Sequence, residues 1–274
     1  MLRATFLAIA ISLAAAGAHA DTYPVRVAPK IVQFWRTHPA TVLTGDPSKD
    51  ARGTVYRTLG PPHISPRAAA TPAEVALFKR RLQVVLDALL AQPSLQDPRG
   101  LSVVAGANIS RISVDEGVGS LIAEVNLLGR PILLDDPKTT RAKDGRYFTP
   151  GEGVVLRVGL NAAGFLQEKW PTVRPDGRTI TPLGSGAHTS FVISSVPVPP
   201  DSTARSLVAR WEKDRSWTGG PGEASMVVYT SSYRQENDRL EAGQLPPTDP
   251  AARFAAAVAM VDWSALRARL LEIR

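Results

Sequence analysis

The stretch PLGSGAHTSFVIS, residues 182–194, gathers the side chains of this chain that come nearest to a catalytic group. Ser185 stands three residues before His188 and Ser190 two after it, in a glycine-bearing loop where a hydroxyl could hydrogen-bond an imidazole. A histidine so placed could act as general base, with Glu152 or Asp176 orienting its ring. The opposing reading is structural. Pro182, Gly184 and Gly186 break the chain, and Phe191, Val192 and Ile193 begin a strand. Serines in such turns bond their own backbone, so His188 reads first as a turn residue at the start of a strand.

Other chemistries have less to stand on. The absence of cysteine removes thiol nucleophiles, thiolate zinc sites, iron–sulfur clusters and covalent c-type haem. Of four histidines, His38, His63 and His188 lie beyond the N-terminal leader, and none stands in H-x-H or H-E-x-x-H spacing. Asp135, Asp136 and Asp144 crowd one polar loop as calcium ligands do, but the D-x-D-x-D-G register is missing, and they read as solvated loop acids. There is no G-x-x-x-x-G-K-[ST], no G-x-G-x-x-G between a strand and a helix, no G-x-S-x-G elbow and no S-x-x-K. The sequence therefore calls for no metal and no cofactor. Among five tryptophans, Trp217 precedes the turn TGGPG and is the one placed to stack on a ligand. Trp211 and Trp263 fall on apolar helical faces and read as core.

These residues must be carried by elements that the sequence marks locally. Thr71 as cap, Pro72 at the first helical position and Glu74 as the returning carboxylate start a helix expected over residues 72–92. Val75, Phe78, Leu82, Val85, Leu86 and Leu89 recur on one face of it, while Lys79, Arg80 and Arg81 read as a solvated face. GLSVVAGANISRISVDE and GVGSLIAEVNLLGRPILL read as an antiparallel pair, VVLRVGLN as a third strand, and HTSFVISSVPV and EASMVVYTSSY as two more. VRPDGRTI carries a Pro-Asp-Gly hairpin signal. Residues 201–214 are expected as a helix, with a strand as the alternative. The C-terminal helix spans about residues 250–273, capped by Asp249, with a kink or restart near Trp263. Strands joined by turns, with helices at the ends, describe an α+β fold with a mostly antiparallel sheet. PVRVAPKIVQFW reads as an extended segment of an irregular N-terminal arm, residues 21–70, ahead of a single α+β domain, residues 71–274.

The first twenty residues have the organisation of an export signal: Arg3, an apolar run over residues 4–16, and Ala18 and Ala20 flanking His19. Cleavage is expected between Ala20 and Asp21, giving a periplasmic or secreted protein with no membrane span. Losing Arg3 takes one charge from a formal net of +7, and both signs stay interleaved along the chain. That pattern argues against a nucleic-acid partner and allows weak association with anionic surfaces. The expected activity is non-catalytic binding of an envelope protein, a peptide or a polysaccharide. The alternative is a hydrolase of an envelope or extracellular substrate, using His188 with Ser185 and Glu152 in support.

Overall fold

The structure, a computed structural model, describes residues 27–38, 43–57, 59–66, 68–111, 121–160, 180–183, 188–193, 226–231 and 234–274. Its helices are α1 (Pro29–Thr37), α2 (Pro47–Asp50), α3 (Pro72–Leu90), α4 (Arg234–Glu241), α5 (Pro250–Met260) and α6 (Trp263–Glu272). Its strands are β1 (His63–Ile64), β2 (Leu101–Arg111), β3 (Leu121–Pro131), β4 (Thr140–Arg141), β5 (Tyr147–Phe148), β6 (Val154–Leu160), β7 (Ile180–Leu183), β8 (His188–Ile193) and β9 (Met226–Ser231). The chain has the expected α+β fold. No helix among the described residues is long and apolar enough to cross a membrane.

Helices α2, α3, α5 and α6 begin where side chains cap them. Glu74 donates its N–H to Thr71 Oγ1 at 3.3 Å, and Thr71 donates its own to Glu74 Oε2 at 2.7 Å, satisfying two donors at the start of α3. Asp249 Oδ1 accepts the Ala251 N–H at 2.9 Å and starts α5. Residues 251–258 of α5 are all buried, so this alanine-rich helix is enclosed on every side. Gly129 on β3 lets it approach: a Cβ there would lie 2.8 Å from Phe254 Cζ. Val261 then turns extended, and Asp262 Oδ1 accepts the Ala265 N–H at 2.9 Å, so the C-terminal segment is two helices that restart at Trp263. Trp263 is core, as expected, and its indole N–H donates to Val258 O at 2.8 Å.

A seven-stranded sheet runs in the order β1-β2-β3-β6-β9-β8-β7. Every pairing is antiparallel except the short parallel contact of β1 with β2. Period-two alternation turns Val103, Ile109, Val125, Leu127, Leu156 and Val158 to one face, where they are buried. Helix α3 lies on β2 and β3, and α5 on β3 and β6; α1 packs on α5 and α6 on α3. Burying a side chain the size of Phe78, Phe254 or Trp263 stabilises the fold by about 1.5–3 kcal/mol or more apiece, which makes this layer the main support of the sheet.

Two expectations are corrected. The segment expected to be extended within PVRVAPKIVQFW turns helical from Pro29, because Ile31, Val32 and Trp35 reach the core together only on a helical repeat. Arg81, expected on a solvated face, is 2% exposed. It follows Phe78 by three residues, inside the apolar stripe, and its Nη2 donates to Ile273 O at 3.2 Å, while Arg80 donates to Arg274 O. The leader, most of VRPDGRTI and residues 201–214 lie outside the described residues.

Candidate ligand-binding cleft

At the end of the sheet where β2 begins, residues 52–57 run between β2 and the β4–β5 hairpin. Thr54 donates its N–H to Tyr147 O at 2.9 Å, Val103 donates to Thr54 O at 2.9 Å and Tyr56 to Val103 O at 3.1 Å. Gly53 makes this approach possible, since a Cβ there would lie 1.7 Å from Leu101 O. The hairpin closes through Gly145, whose φ of +82° suits a residue without a side chain. Between these segments lies an open cleft of about 560 Å³, lined by Thr54, Val55, Tyr56, Arg57, Asp97, Ala142, Lys143, Asp144 and Arg146.

Asp97 holds the floor together. It sits at φ +44° in the loop between α3 and β2, a left-handed position that aspartate tolerates better than most residues. Its Oδ1 accepts Arg52 Nη2 at 3.0 Å and Arg146 Nη2 at 2.7 Å. Arg146 spends its remaining nitrogens on Asp144 Oδ2, 3.3 Å from Nε, and on Gly53 O, 3.0 Å from Nη1. Desolvation pushes the Asp97 carboxyl up, but the Arg52 hydrogen bond and the Arg146 and Arg52 charges outweigh it and hold it below the ordinary carboxylate range. Asp97 is therefore an ionised counter-ion and a poor proton acceptor. On the rim, Arg57 and Lys143 enter no ion pair among the described residues, and Tyr56 is 52% exposed. The arrangement can attract and orient an anion. It places no nucleophile beside a base.

The residues singled out in the sequence lie elsewhere. Glu152 is exposed in the loop two residues before β6. His188 opens β8, with Ser231 of β9 as its register partner, and Ser190 stands opposite Tyr229. Because Val155 also pairs with Ser231, it stands two strand spacings, about 10 Å, from His188, and Glu152, three residues before Val155, comes to the same end of the sheet at about 14 Å from His188. From β2 to β8 is four spacings, which sets His188 about 19 Å from the β2 edge beside the cleft. Ser185, Asp176 and Trp217 lie outside the described residues. Of the loop acids, Asp136 Oδ1 accepts the Lys138 N–H at 2.8 Å, Asp135 is exposed, and Asp144 belongs to the cleft. His38 stacks on Phe34 at the end of α1 and His63 lies in β1; no group of three or more metal-ligating side chains occurs among the described residues. Sequence reasoning missed Arg52, Arg57, Asp97, Lys143 and Arg146, although the run RAKDGR concentrates charge around a tight turn. No protein-family model, curated protein or solved structure matches the chain.

Proposed function

We propose that the chain is an exported, non-catalytic binding protein whose cleft takes up an anionic group of an envelope or extracellular component. Export rests on the leader-like first twenty residues. The observation that carries the binding role is the division of labour in the cleft. Asp97 and Asp144 are committed as counter-ions to Arg146, while Arg57 and Lys143 stay unpaired among the described residues beside an exposed phenol. Positive charge on an exposed rim favours a carboxylate, phosphate or sulfate, and the attraction weakens as salt rises. The test is calorimetric titration with a sulfated polysaccharide and with neutral dextran, using the wild type and an Arg57→Ala/Lys143→Ala double variant. Binding of the sulfated polymer alone, weakened about tenfold or more in the double variant and by added salt, supports the reading. Equal binding by both proteins, or none, ends it.

One placement favours a hydrolase as the second reading: Glu152 and His188 share a sheet end. Turnover of ester, amide or glycoside substrates that His188→Ala abolishes would replace the binding role. Equal inactivity of both proteins removes the second reading.

A further inference from the structure

The sheet has a second face, turned away from the helices, and its centre is built from residues that strands avoid. On β2 it carries Gly106 and Asn108, on β3 Glu124 and Asn126, and on β6 Arg157 and Gly159. Glycine and asparagine weaken central strands, and glutamate adds little, so nothing in sheet stability asks for them here. They are neighbours across the ladder: Asn108 stands opposite Glu124, Gly106 opposite Asn126, Asn126 opposite Arg157 and Glu124 opposite Gly159.

Their side chains form an arranged but incomplete network. Asn108 and Asn126 both donate an amide N–H to the same oxygen, Glu124 Oε1, at 2.7 and 3.2 Å. That fixes the half-buried carboxylate and leaves Oε2 without a partner among the described residues. Asn126 Oδ1 is enclosed and likewise unpartnered. Arg157 is exposed and makes no ion pair with Glu124, although the two are diagonal neighbours on adjacent strands. A held acceptor and a nearby donor that do not close on each other leave a place for a molecule that bridges them. Gly106 supplies the floor, since a Cβ there would meet nothing within 4 Å.

We infer that Asn108, Glu124, Asn126 and Arg157 form a binding site, separate from the cleft, for a small hydroxyl-rich ligand of the sugar class. The charges of Glu124 and Arg157 cancel, which favours a net-neutral ligand. Adjacent hydroxyls each donate and accept, so one can donate to Glu124 Oε2 while the next accepts from Arg157. The ring's C–H face can lie over the Gly106 backbone, where a side chain would block it.

The test is ¹H–¹⁵N NMR of the whole protein titrated with glucose and N-acetylglucosamine, and separately with glycine as a small zwitterion. Saturable shifts at Asn108, Glu124, Asn126 and Arg157 with a sugar are expected, with affinity lowered tenfold or more in Glu124→Gln and in Arg157→Ala. Glu124→Gln keeps the shape and can still accept both amide bonds, so an unchanged thermal midpoint separates lost binding from lost folding. Lys143→Ala, in the cleft, should bind the sugar as the wild type does. Absence of shifts with both sugars, sugar affinity unchanged by Glu124→Gln, or a response to glycine alone would overturn the inference.

Discussion

Arg146 and Arg253 grip the same stretch of chain, the loop of residues 91–100 between α3 and β2, from opposite sides and by different physics. Arg146, its side chain 24% exposed, is held by the carboxylates of Asp97 and Asp144. Arg253 is 3% exposed and enters no ion pair among the described residues. Its Nη1 donates to Ser94 O at 3.1 Å, its Nη2 to Arg99 O at 2.9 Å and its Nε to Thr248 O at 3.1 Å. The guanidinium lies 4.6 Å from the centre of the Trp35 ring, and Ser94 Oγ returns a bond to Arg253 O at 2.9 Å. Near water a cation is steadied by opposite charge, which salt screens; in the core it is steadied by fixed dipoles and a ring face, which salt hardly reaches. The buried arginine thus sets the loop that carries Asp97, and the half-buried one trims it.

The largest effect should come from breaking the buried side. Arg253→Ala leaves three carbonyls without their donor and opens a cavity beneath Trp35, for an expected loss of about 3–5 kcal/mol in urea unfolding, insensitive to salt. A loss below about 1 kcal/mol would mean that the two arginines are equivalent after all. Gly53→Ala comes next, because its Cβ would meet the Leu101 backbone, which cannot swing aside. It should cost about 1–3 kcal/mol and weaken anion binding at the cleft, seen by thermal unfolding and titration together. Arg146→Met should cost about 1 kcal/mol or less, a difference that shrinks between low and high salt in the same unfolding assay.

The smallest effect is a titration that sharpens the contrast. The Asp97 carboxyl is lowered in the fold, so the unfolded chain binds its proton more readily. Its contribution is fully present above the ordinary carboxylate value and is lost as pH falls through the lowered one. The stability gap between the wild type and Asp97→Asn should therefore close on acidification below about pH 4. Burial lowers Arg253 to about 10, so there too the unfolded chain holds the proton longer. Stability again rises with pH, but only between about 10 and the ordinary arginine value, as the cost of burying the charge is relieved. An Asp97 gap that persists unchanged in acid would show that its arginines contribute by shape alone.

Much of the fold was legible because its signals are local. The Thr71–Glu74 box spans four residues, the Asp249–Pro250 and Asp262 starts even fewer, and the alternation of VVLRVGLN in β6 repeats every second residue. The failures have a common cause. Residues 29–37 have no capping side chain to mark their start, and they take their form from the core that Ile31 and Trp35 enter. Arg81 was assigned by its charge, whereas its position in the Phe78–Leu82 stripe decided its burial. The candidate sites were harder still. Glu124 and Asn108 looked like ordinary polar positions until the register set them opposite each other.

The amino-acid sequence by itself determined the α+β class, the starts of α3, α5 and α6, and the two-faced character of the central strands, since each depends on residues within a turn or a pleat of one another. Tertiary structure alone decided which charges meet. Arg52 and Asp97 are 45 residues apart, and Arg253 and Ser94 are 159 apart. No local pattern encodes such pairs, because a guanidinium's partner is whatever acceptor the packed layers bring within about 3 Å.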